Sequence, residues 1–556
     1  MREMKNLSRK FKKAIIIILI TVSVVISAGF VNKNFELTKN LDIFATLYRE
    51  LFINYVDEIN SAELIKTAID SMLESLDPYT VFIPESEIED YRFITTGQYG
   101  GIGAIIHYRE KEVVITEPYA GFPAYKGGLV AGDVIVEVSG RSTADMDFDD
   151  VKTLLHGQPG SEVVLTVRKY GLETPQKVTL TREIIKVDNI PFYGMINEKT
   201  GYIKLMGFTQ SASAEFKEAF MKLKQEHNLE SLVIDLRGNG GGLLNEAVNI
   251  VNLFVDKDKT VVETKGRIEE RNTVHKTLNV PIDRDIPIAV LTDRGSASAS
   301  EIVAGAIQDF DRGVIIGERT FGKGLVQNII PLVYNTQMKV TVAKYYIPSG
   351  RCIQAIDYAK KNEDGSIAEI PDSLKVAFKT ANGRVVYDGG GLEPDVTVEK
   401  PYPANITVEL IIQYMMFDYA TKFFHENKAI ASVTEFEITD NIYNDFISFV
   451  NGKNFSFKSL SEEKMDELIA AAKEDEYFEN LEKYIVDLKQ KVKATKEKDI
   501  YTHSSEIKRL LKDEIIGRYY YSRGRIEASL KADEDILEAI NLLNNPERYK
   551  SVLSGK

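Results

Sequence analysis

Two apolar segments of this chain each end in a turn of small residues and lead directly into an amphipathic helix. Residues 232–234 precede Asp235-Leu236-Arg237-Gly238-Asn239-Gly240-Gly241-Gly242, and residues 286–292 precede Asp293-Arg294-Gly295-Ser296-Ala297-Ser298-Ala299-Ser300-Glu301. Short apolar runs bounded by turn residues are typical of buried strands. The repeated strand–turn–helix pattern predicts a sheet with helices packed against it, that is, an α/β core.

Length and composition limit what can surround this core. A chain of 556 residues is too long for one core and predicts three or four domains. The net charge of −14 argues against a nucleic-acid partner. The single cysteine, Cys352, excludes an intrachain disulfide and a zinc–cysteine cluster, and the six histidines lack metal-ligand spacing. We therefore expect no cofactor and no metal ion.

The N-terminus carries a basic segment, residues 1–13, followed by an uncharged apolar run over residues 14–31. A run of 18 residues is just long enough to span a bilayer. The basic flank places the N-terminus in the cytoplasm and the rest of the chain across the membrane. A cleaved signal peptide is the alternative, because Ser27-Ala28-Gly29 suits a signal peptidase. We favour an uncleaved transmembrane signal-anchor.

Changes in residue pattern divide the remainder of the chain into four parts. Residues 35–97 have apolar residues at helical spacing and predict a helical N-terminal domain. Residues 98–185 are rich in strand patterns, and residues 190–400 contain the two strand–turn–helix units. Residues 401–556 predict a helical C-terminal domain, in which we expect Asn544-Asn545-Pro546 to end the last helix.

The β-rich part resembles a PDZ domain through Gly101-Ile102-Gly103-Ala104 and Gly132-Asp133-Val134-Ile135. In such a domain a glycine-flanked loop turns backbone N–H groups toward a C-terminal carboxylate, and the ligand adds a strand to the sheet edge. The candidate carboxylate-binding residues are Gly101, Ile102, Gly103 and Ala104. The simpler alternative is that these glycines only form turns. The expected partners are protein substrates with free, apolar C-termini.

The turn before the helix at residue 299 offers a candidate nucleophile. Ser298 can expose its hydroxyl there, and the N-terminus of a helix favours nearby negative charge. Lys323 follows 25 residues later between two glycines. In a Ser–Lys dyad the neutral lysine is the general base, so its pKa must fall from about 10.4 to near 7, which corresponds to about 4 kcal/mol. A flexible Ser/Ala/Gly connector is the competing interpretation.

Residues around Lys323 are suited to support that role. Burial beside Phe321, Leu325 and Val326 is expected to lower the pKa of the lysine. Gln327 lies four positions after Lys323, which places both on one face of either a helix or a strand. Its amide could orient the lysine amine without stabilising the charged form.

The consecutive glycines at residues 240–242 let the backbone approach a ligand and point N–H groups at it. A phosphate-binding loop is a rival, but the Gly-Lys-Ser/Thr pattern does not follow. Ser296 and Ser300 are alternative nucleophiles beside Ser298.

Together these motifs resemble the carboxy-terminal processing proteases, also called tail-specific proteases. The resemblance covers about residues 40 to 400 and rests on Leu76-Asp77-Pro78-Tyr79, Gly101-Ile102-Gly103-Ala104, Asp235-Leu236-Arg237 with Asn239 and Gly241-Gly242, residues 295–301, Gly322-Lys323-Gly324 with Gln327, and Tyr345-Tyr346-Ile347-Pro348-Ser349-Gly350-Arg351. It implies an α/β multidomain protein. The core would be a crotonase-like or Clp-like ββα protease core with an inserted PDZ domain, a β-rich strap, and helical domains at both ends.

The resemblance also implies roles for individual residues. The family's nucleophile, base and orienting glutamine fall here on Ser298, Lys323 and Gln327, and its oxyanion-hole N–H groups fall on Ala299 and on Gly241 or Gly242. Proline is common in the family at the position of Gly240, and this departure leaves the choice between the two glycines open.

These roles imply a membrane-anchored serine endopeptidase that binds the C-terminus of a protein substrate and cleaves nearby through an acyl-enzyme. We expect a single-pass protein of the bacterial cell membrane with its catalytic domains outside the cytoplasm, and a homo-oligomer, most simply a dimer. The alternative is a catalytically silent PDZ scaffold that binds protein C-termini in the cell envelope.

Overall fold

The computed structural model describes residues 35–361 and 367–555. The predicted membrane anchor over residues 14–31 lies outside these described residues. Across the described ranges, no helix has the length and apolarity needed to cross a bilayer. The chain divides into two compact units, Met1–Phe82 and Ile83–Lys556.

The described part of the first unit is helical, as its residue spacing predicts. Residues 35–54 are helical, and a second helix spans Ser61–Glu74. After that helix, a carboxylate oxygen of Asp77 accepts hydrogen bonds from the backbone N–H groups of Tyr79 and Thr80, both at 2.8 Å. This side-chain turn holds the segment that follows the helix in a non-helical conformation.

The second unit contains a central six-stranded sheet. Its strands, in spatial order, are Phe192–Met195, Thr200–Lys204, Ser231–Asp235, Ile288–Thr292, Val314–Gly317 and Val396–Thr397. The first pair is antiparallel and every later pair is parallel. Both predicted apolar segments are therefore neighbouring parallel strands, so their turns meet at the same edge of the sheet.

Helices cover both faces of this sheet. On one face lie Ala212–Glu226, Leu244–Val251 and Ala299–Asp309, and their buried residues form one core with the strands. On the other face lie Glu534–Leu543 and Pro546–Ser554 from the end of the chain. As expected, Asn544-Asn545-Pro546 ends a helix, Glu534–Leu543, whose C-cap is Asn544. The expectation that this helix is the last is wrong, because Pro546 occupies the first turn of a further helix, where its missing N–H costs nothing.

A second sheet lies beside this core and is called the strap sheet. Four of its five strands are, in spatial order, Leu325–Pro331, Gln337–Tyr346, Thr260–Gly266 and Thr273–Lys276, each antiparallel to its neighbours among these four. Its first strand begins two residues after Lys323, so this sheet limits where the lysine loop can run.

The β-rich module forms strands, as its residue pattern predicts. Its sheet contains, in spatial order, Ala104–Arg109, Glu112–Pro118, Val134–Val138, Glu162–Arg168 and Gln176–Thr181, and Arg141–Ser142 pairs with the third of these. Its helices are Pro123–Lys126 and Phe148–Leu155. Strand Ala104–Arg109 is an edge strand, and it begins at Ala104, the last of the predicted carboxylate-binding residues.

The C-terminal part is helical, as predicted. Its helices before the two that cover the central sheet are Asn405–Ile412, Met415–Glu426, Asp440–Gly452, Leu460–Glu474, Phe478–Lys496, Asp499–Thr502 and Ser504–Ser529. The apolar run at residues 406–415 is interrupted at Tyr414, whose φ of 58° separates the first two helices. Several of these helices share one buried core of their own.

Short elements complete the description. Strands Gln98–Gly101 and Glu183–Lys186 pair with each other, as do Ile356–Lys361 with Ile367–Glu369 and Ala377–Lys379 with Val385–Tyr387. The remaining elements are strand Val81–Ile83, helix Ile88–Thr96 and 3₁₀ turns at Glu85–Glu87, Glu269–Arg271 and Asp372–Leu374.

Candidate active site

Ser298 occupies a strained turn between a buried strand and a buried helix. Its φ of 58° and ψ of −113° lie outside the regions that residues with a side chain normally adopt. Every residue of the helix that follows, Ala299–Asp309, is buried. Such strain, of the order of 1–3 kcal/mol, is typical of residues whose side chain is held at a functional site. The serine is half-buried, so part of the residue is exposed to solvent.

The two serines that flank Ser298 are occupied in structural hydrogen bonds. Ser296 is fully buried and donates from its hydroxyl to the carbonyl of Leu236 at 2.9 Å. Ser300 is fully buried as well and donates to the carbonyl of Asn239 at 2.8 Å. Both side chains therefore join the turn at residues 293–298, called the serine turn, to the turn at residues 236–242, called the glycine turn. Ser298 is left as the accessible serine of the motif.

Glu301 connects the serine turn to the loop that carries Lys323. Its side chain is fully buried, and one carboxylate oxygen, Oε2, accepts from the backbone N–H of Ser298 at 2.8 Å and from that of Lys323 at 3.1 Å. Because the two bonds share one oxygen atom, the two nitrogens lie no more than 5.9 Å apart. Two residues 25 positions apart in the sequence are thus brought together.

Lys323 lies in a loop whose path depends on two glycines. Gly322 and Gly324 have φ values of 81° and 65°, and a Cβ atom at either would come within 2.5 Å of Ala355 or Gln354. Lys323 itself is half-buried. The predicted apolar surroundings are only partly present, since Leu325 is buried whereas Phe321 is 46% exposed.

Gln327 is on the first strand of the strap sheet, opposite Thr341. Its side-chain amide donates to the hydroxyl of Thr341 at 3.3 Å. A register shift separates Val326 from Gln327, and Lys323 precedes the strand. A four-residue spacing puts two residues on one face only within one regular element. Lys323 and Gln327 do not share such an element, so the spacing does not put them on one face.

The glycine turn lies directly against the serine turn. A Cβ atom at Gly241 would stand 2.7 Å from the Ser298 Cβ and 2.9 Å from the Ala299 nitrogen, and the φ of Gly241 is 102°. A Cβ atom at Gly242 would instead meet the Phe208 carbonyl at 2.5 Å. Glycine is required at both positions, but only Gly241 faces the serine.

The backbone N–H groups of the glycine turn and of Ala299 differ in whether they already donate a hydrogen bond. The Gly241 N–H donates to the side-chain oxygen of Asn239 at 2.9 Å. Within the part of the chain that the structure describes, the N–H groups of Gly242 and Ala299 have no hydrogen-bond acceptor. The resemblance left the choice between Gly241 and Gly242 open, and no sequence pattern indicated that the Asn239 side chain holds the Gly241 N–H.

Charged residues hold the glycine turn to the sheet and to the C-terminal helices. Arg237 donates to both carboxylate oxygens of Asp235, at 3.0 and 2.6 Å, and also to Asp533 and Asp535. Burial alone would raise the pKa of Asp235, but the charges of Arg237 and Lys204 hold it well below its usual range. The carboxylate is therefore ionised at all ordinary pH values, and the turn begins from a fixed ion-pair network.

The predicted carboxylate-binding loop of the β-rich module has free donors. The carbonyls of Ile102 and Gly103 accept hydrogen bonds from the N–H groups of Ala124 and Tyr119, at 2.8 and 2.9 Å. Among the described residues, the N–H groups of Ile102 and Gly103 have no acceptor. Unpaired N–H groups beside an edge strand are what capture of a C-terminal carboxylate requires.

The C-terminal helices contact the same module, which the sequence did not predict. Ser522 donates its backbone N–H to Glu117 at 2.9 Å, and Arg525 forms an ion pair with that carboxylate. Tyr521, immediately before, has a φ of 57° and a ψ of −162°, which breaks the helix Ser504–Ser529 internally. The break leaves the backbone N–H of Ser522 without a helical acceptor, and the Glu117 carboxylate of the β-rich module accepts a hydrogen bond from it.

Comparison with known proteins assigns each of these regions. Residues 199–360 match the family model for peptidase family S41, residues 114–169 match the model for the PDZ domain, and residues 406–543 match the model described as probable PDZ-protease, C-terminal helical domain. The three matches fall, respectively, on the region of the central and strap sheets, on the β-rich module and on the helical tail.

Individual relatives span most of the chain. The carboxy-terminal-processing protease of Bartonella bacilliformis is 31% identical over 391 residues, which cover 69% of this chain and 82% of the relative. A probable CtpA-like serine protease of Staphylococcus aureus is 32% identical over 400 residues, 70% of this chain and 72% of the relative. A solved structure, the photosystem II D1 C-terminal processing protease, is 29% identical with a TM-score of 0.35 and covers 64% of this chain and 92% of that chain. The chain belongs to the carboxy-terminal-processing proteases of peptidase family S41, and it carries a PDZ domain.

Proposed function

We propose that this protein is a membrane-anchored serine endopeptidase in which Ser298 is the nucleophile and Lys323 is the general base. The observation that carries the proposal is the shared oxygen of Glu301, which holds the backbones of these two residues within 5.9 Å of each other. Adjacent backbones bring together a serine and a lysine, the two residues that a Ser–Lys dyad requires.

In the proposed reaction, the hydroxyl of Ser298 and the amine of Lys323 act in two stages. The Ser298 hydroxyl attacks the carbonyl carbon of a peptide bond while its proton passes to the neutral amine of Lys323. The resulting tetrahedral intermediate expels the amine of the C-terminal fragment, which takes the proton from Lys323, and an acyl-enzyme on Ser298 remains. Water then attacks the acyl-enzyme with Lys323 again accepting the proton, which releases the N-terminal fragment and restores the serine.

Two backbone donors are suited to stabilise the negative oxygen of the intermediate. The unoccupied N–H of Ala299 begins the buried helix, whose N-terminus also favours negative charge. We assign the second donor to the glycine turn, with the free N–H of Gly242 or, after release from Asn239, that of Gly241. Each such donor contributes about 3 to 4 kcal/mol in related chemistry.

The PDZ domain would select the substrate by its C-terminus. The free N–H groups of Ile102 and Gly103 are suited to bind the terminal carboxylate, with Gly101 and Ala104 flanking them. Strand Ala104–Arg109 is the edge to which an extended peptide can add. Apolar side chains near the substrate's C-terminus would then contact the module beside this strand.

We also propose where the protein works. The apolar run over residues 14–31 would anchor it as a single-pass protein of the bacterial cell membrane, with the catalytic domains outside the cytoplasm. We further propose that it is a homodimer. These proposals rest on the sequence alone.

A cleavage assay tests the proposed chemistry. The substrate is a protein with a free apolar C-terminus, and the variants are Ser298→Ala and Lys323→Ala, with surface variants Ser448→Ala and Lys257→Ala as matched controls. We expect a loss of at least about a thousandfold in kcat/KM for the two site variants and full activity for the controls. Cleavage by Ser298→Ala at the rate of the unmodified protein would contradict the proposal.

A further inference from the structure

Glu301 accepts more hydrogen bonds than a helix-capping carboxylate needs. Besides the N–H groups of Ser298 and Lys323 on Oε2, its other oxygen, Oε1, accepts from the Thr320 hydroxyl at 2.6 Å and from the Gly322 N–H at 2.7 Å. The hydroxyl of Tyr345 is a fifth donor, 3.1 Å from Oε2. One side chain therefore contacts the serine turn, the lysine loop and the strap sheet.

Tyr345 connects this carboxylate to the strap sheet. It lies near the end of strand Gln337–Tyr346, its side chain is 1% exposed, and its hydroxyl is also 3.5 Å from the carbonyl of Ser298. Its backbone N–H donates to the carbonyl of Gly324 at 3.0 Å, on the other side of Lys323. A single residue of the strap sheet thus contacts both segments that carry the proposed nucleophile and base.

We propose that Glu301 and Tyr345 are positioning residues for the Ser298–Lys323 pair: Glu301 holds the two backbones at a fixed separation, and Tyr345 makes that separation depend on the position of the strap sheet. The inference rests on the proposed function, because it concerns the same two residues. It adds that a movement of strand Gln337–Tyr346 would change the distance between nucleophile and base without touching either side chain.

The chemistry of the donors explains why a carboxylate is needed. Each oxygen of Glu301 faces at least one backbone N–H, which cannot reverse its role and accept. A glutamine at this position would place its NH₂ group against an N–H in either orientation. The hydroxyl groups of Thr320 and Tyr345 can rotate, but the backbone donors cannot.

Burial works against this arrangement and makes its donors important. Desolvation raises the pKa of the Glu301 carboxyl, and the Thr320 hydroxyl with the three backbone N–H groups opposes that rise. The pKa of Tyr345 is raised well above its usual value, first by desolvation and then by the negative charge of Glu301. The phenol therefore keeps its proton and remains a hydrogen-bond donor. Removing one donor therefore makes the buried Glu301 carboxylate less stable and weakens its hydrogen bonds to the remaining donors.

The test measures kcat per active serine for Tyr345→Phe and Glu301→Gln in the full-length protein. The concentration of active serine is titrated with a fluorophosphonate probe, so that misfolded molecules are not counted. Tyr419→Phe is the matched control, because Tyr419 is also 1% exposed and donates to a carboxylate, that of Asp445, at 3.0 Å, but in the helical tail. Ser298→Ala is assayed beside them.

We expect kcat per titrated serine to fall about tenfold or more in Tyr345→Phe and about a hundredfold in Glu301→Gln, with KM nearly unchanged and Tyr419→Phe active. A purely structural role would lower the titrated fraction but leave kcat per titrated serine unchanged, and that result in Tyr345→Phe would overturn the inference. Tyr345→Phe decides the matter because it removes one hydroxyl and keeps the buried ring. Full activity in Ser298→Ala would instead overturn the proposed function itself.

Discussion

Arg109 of the PDZ domain and Asp418 of the C-terminal helical domain are joined by two parallel hydrogen bonds, of 2.7 and 2.9 Å. The guanidinium of Arg109 also lies 4.7 Å from the ring centre of Tyr414, whose hydroxyl contacts His107. Arg109 and His107 belong to the edge strand that would receive a substrate C-terminus. The helical tail therefore holds the strand on which the proposed substrate recognition depends.

A charge exchange between Arg109 and Asp418 tests whether this contact stabilises the PDZ position. Arg109→Asp alone places two carboxylates together, and Asp418→Arg alone places two guanidinium groups together, so each is expected to lower the unfolding midpoint. The double exchange should recover part of the lost stability. We expect a coupling energy of about 1–2 kcal/mol, because the two side chains are three-quarters buried and are joined by two parallel hydrogen bonds.

The matched control for this exchange is Arg168 with Glu112, an ion pair within the PDZ domain whose side chains are 42% and 45% exposed. Exposed pairs usually contribute less than about 1 kcal/mol. If the coupling energy of Arg109–Asp418 is no larger than that of this control, the Arg109–Asp418 pair does not hold the PDZ domain in place.

The close contact between Gly241 and Ser298 predicts a strong effect of one methyl group. Gly241→Ala would force the new Cβ within 2.7 Å of both the Ala297 carbonyl and the Ser298 Cβ. We expect kcat to fall at least about a hundredfold, since small displacements of a nucleophile are costly. Gly383→Ala is the control, because its φ of 87° imposes similar backbone strain but a Cβ atom there meets no neighbour within 4 Å. Equal activity of the two variants would contradict this reading of the turn.

The last two helices, Glu534–Leu543 and Pro546–Ser554, are expected to stabilise the central six-stranded sheet. Leu542 is fully buried against the face of the sheet opposite Ser298's helix, whereas Leu537 of the same helix is 48% exposed. Leu542→Ala should therefore lower the free energy of unfolding by about 2–5 kcal/mol, and Leu537→Ala should change it by less than about 1 kcal/mol. Denaturant unfolding of both variants checks this, and similar values would refute the assigned packing.

Asp513 gives a prediction with a defined dependence on pH. Burial raises its pKa to about 6 from 3.8, against the opposing charges of Arg509 and Lys512. Its contribution to stability is fully present below pH 3.8 and is lost as the pH rises through 6, because the folded state then holds a buried charge. Asp513→Asn should consequently raise stability at pH 7.5, by about 1–3 kcal/mol, and should have little effect near pH 4.

The exposed Asp487, in an ion pair with Lys491 at 3.1 Å, provides the control for that substitution. Asp487→Asn is expected to change the unfolding midpoint only slightly at either pH. A stabilisation by Asp513→Asn that is the same at pH 4 and pH 7.5 would show that the carboxyl does not titrate as described.

Features that depend on neighbouring residues could be predicted from the sequence. The strand–turn–helix units around Gly241 and Ser298 form as expected, since apolar runs and small turn residues act locally. The PDZ strands were also predictable, and Ser459 begins a capping box whose Glu462 side chain bonds the Ser459 N–H.

Features that depend on distant residues could not be predicted in this way. Arg237 and Asp533 are 296 positions apart, and no local pattern indicates that the end of the chain covers the catalytic sheet. Residue pattern also does not reveal that Tyr484 and Leu488 are 73% and 46% exposed on a long helix. The occupation of the Gly241 N–H by Asn239 follows from a side-chain rotamer that spacing does not reveal.

The most direct test of the account is to locate the covalent adduct of a fluorophosphonate probe by mass spectrometry of the digested protein. The account predicts modification of Ser298 in the unmodified protein, no modification in Ser298→Ala, and at least about a hundredfold slower modification in Lys323→Ala. Ser296 and Ser300 should remain unmodified throughout, because their hydroxyls are buried and bonded. An adduct on either of those serines, or undiminished labelling of Lys323→Ala, would contradict the central claim that Ser298 and Lys323 act together.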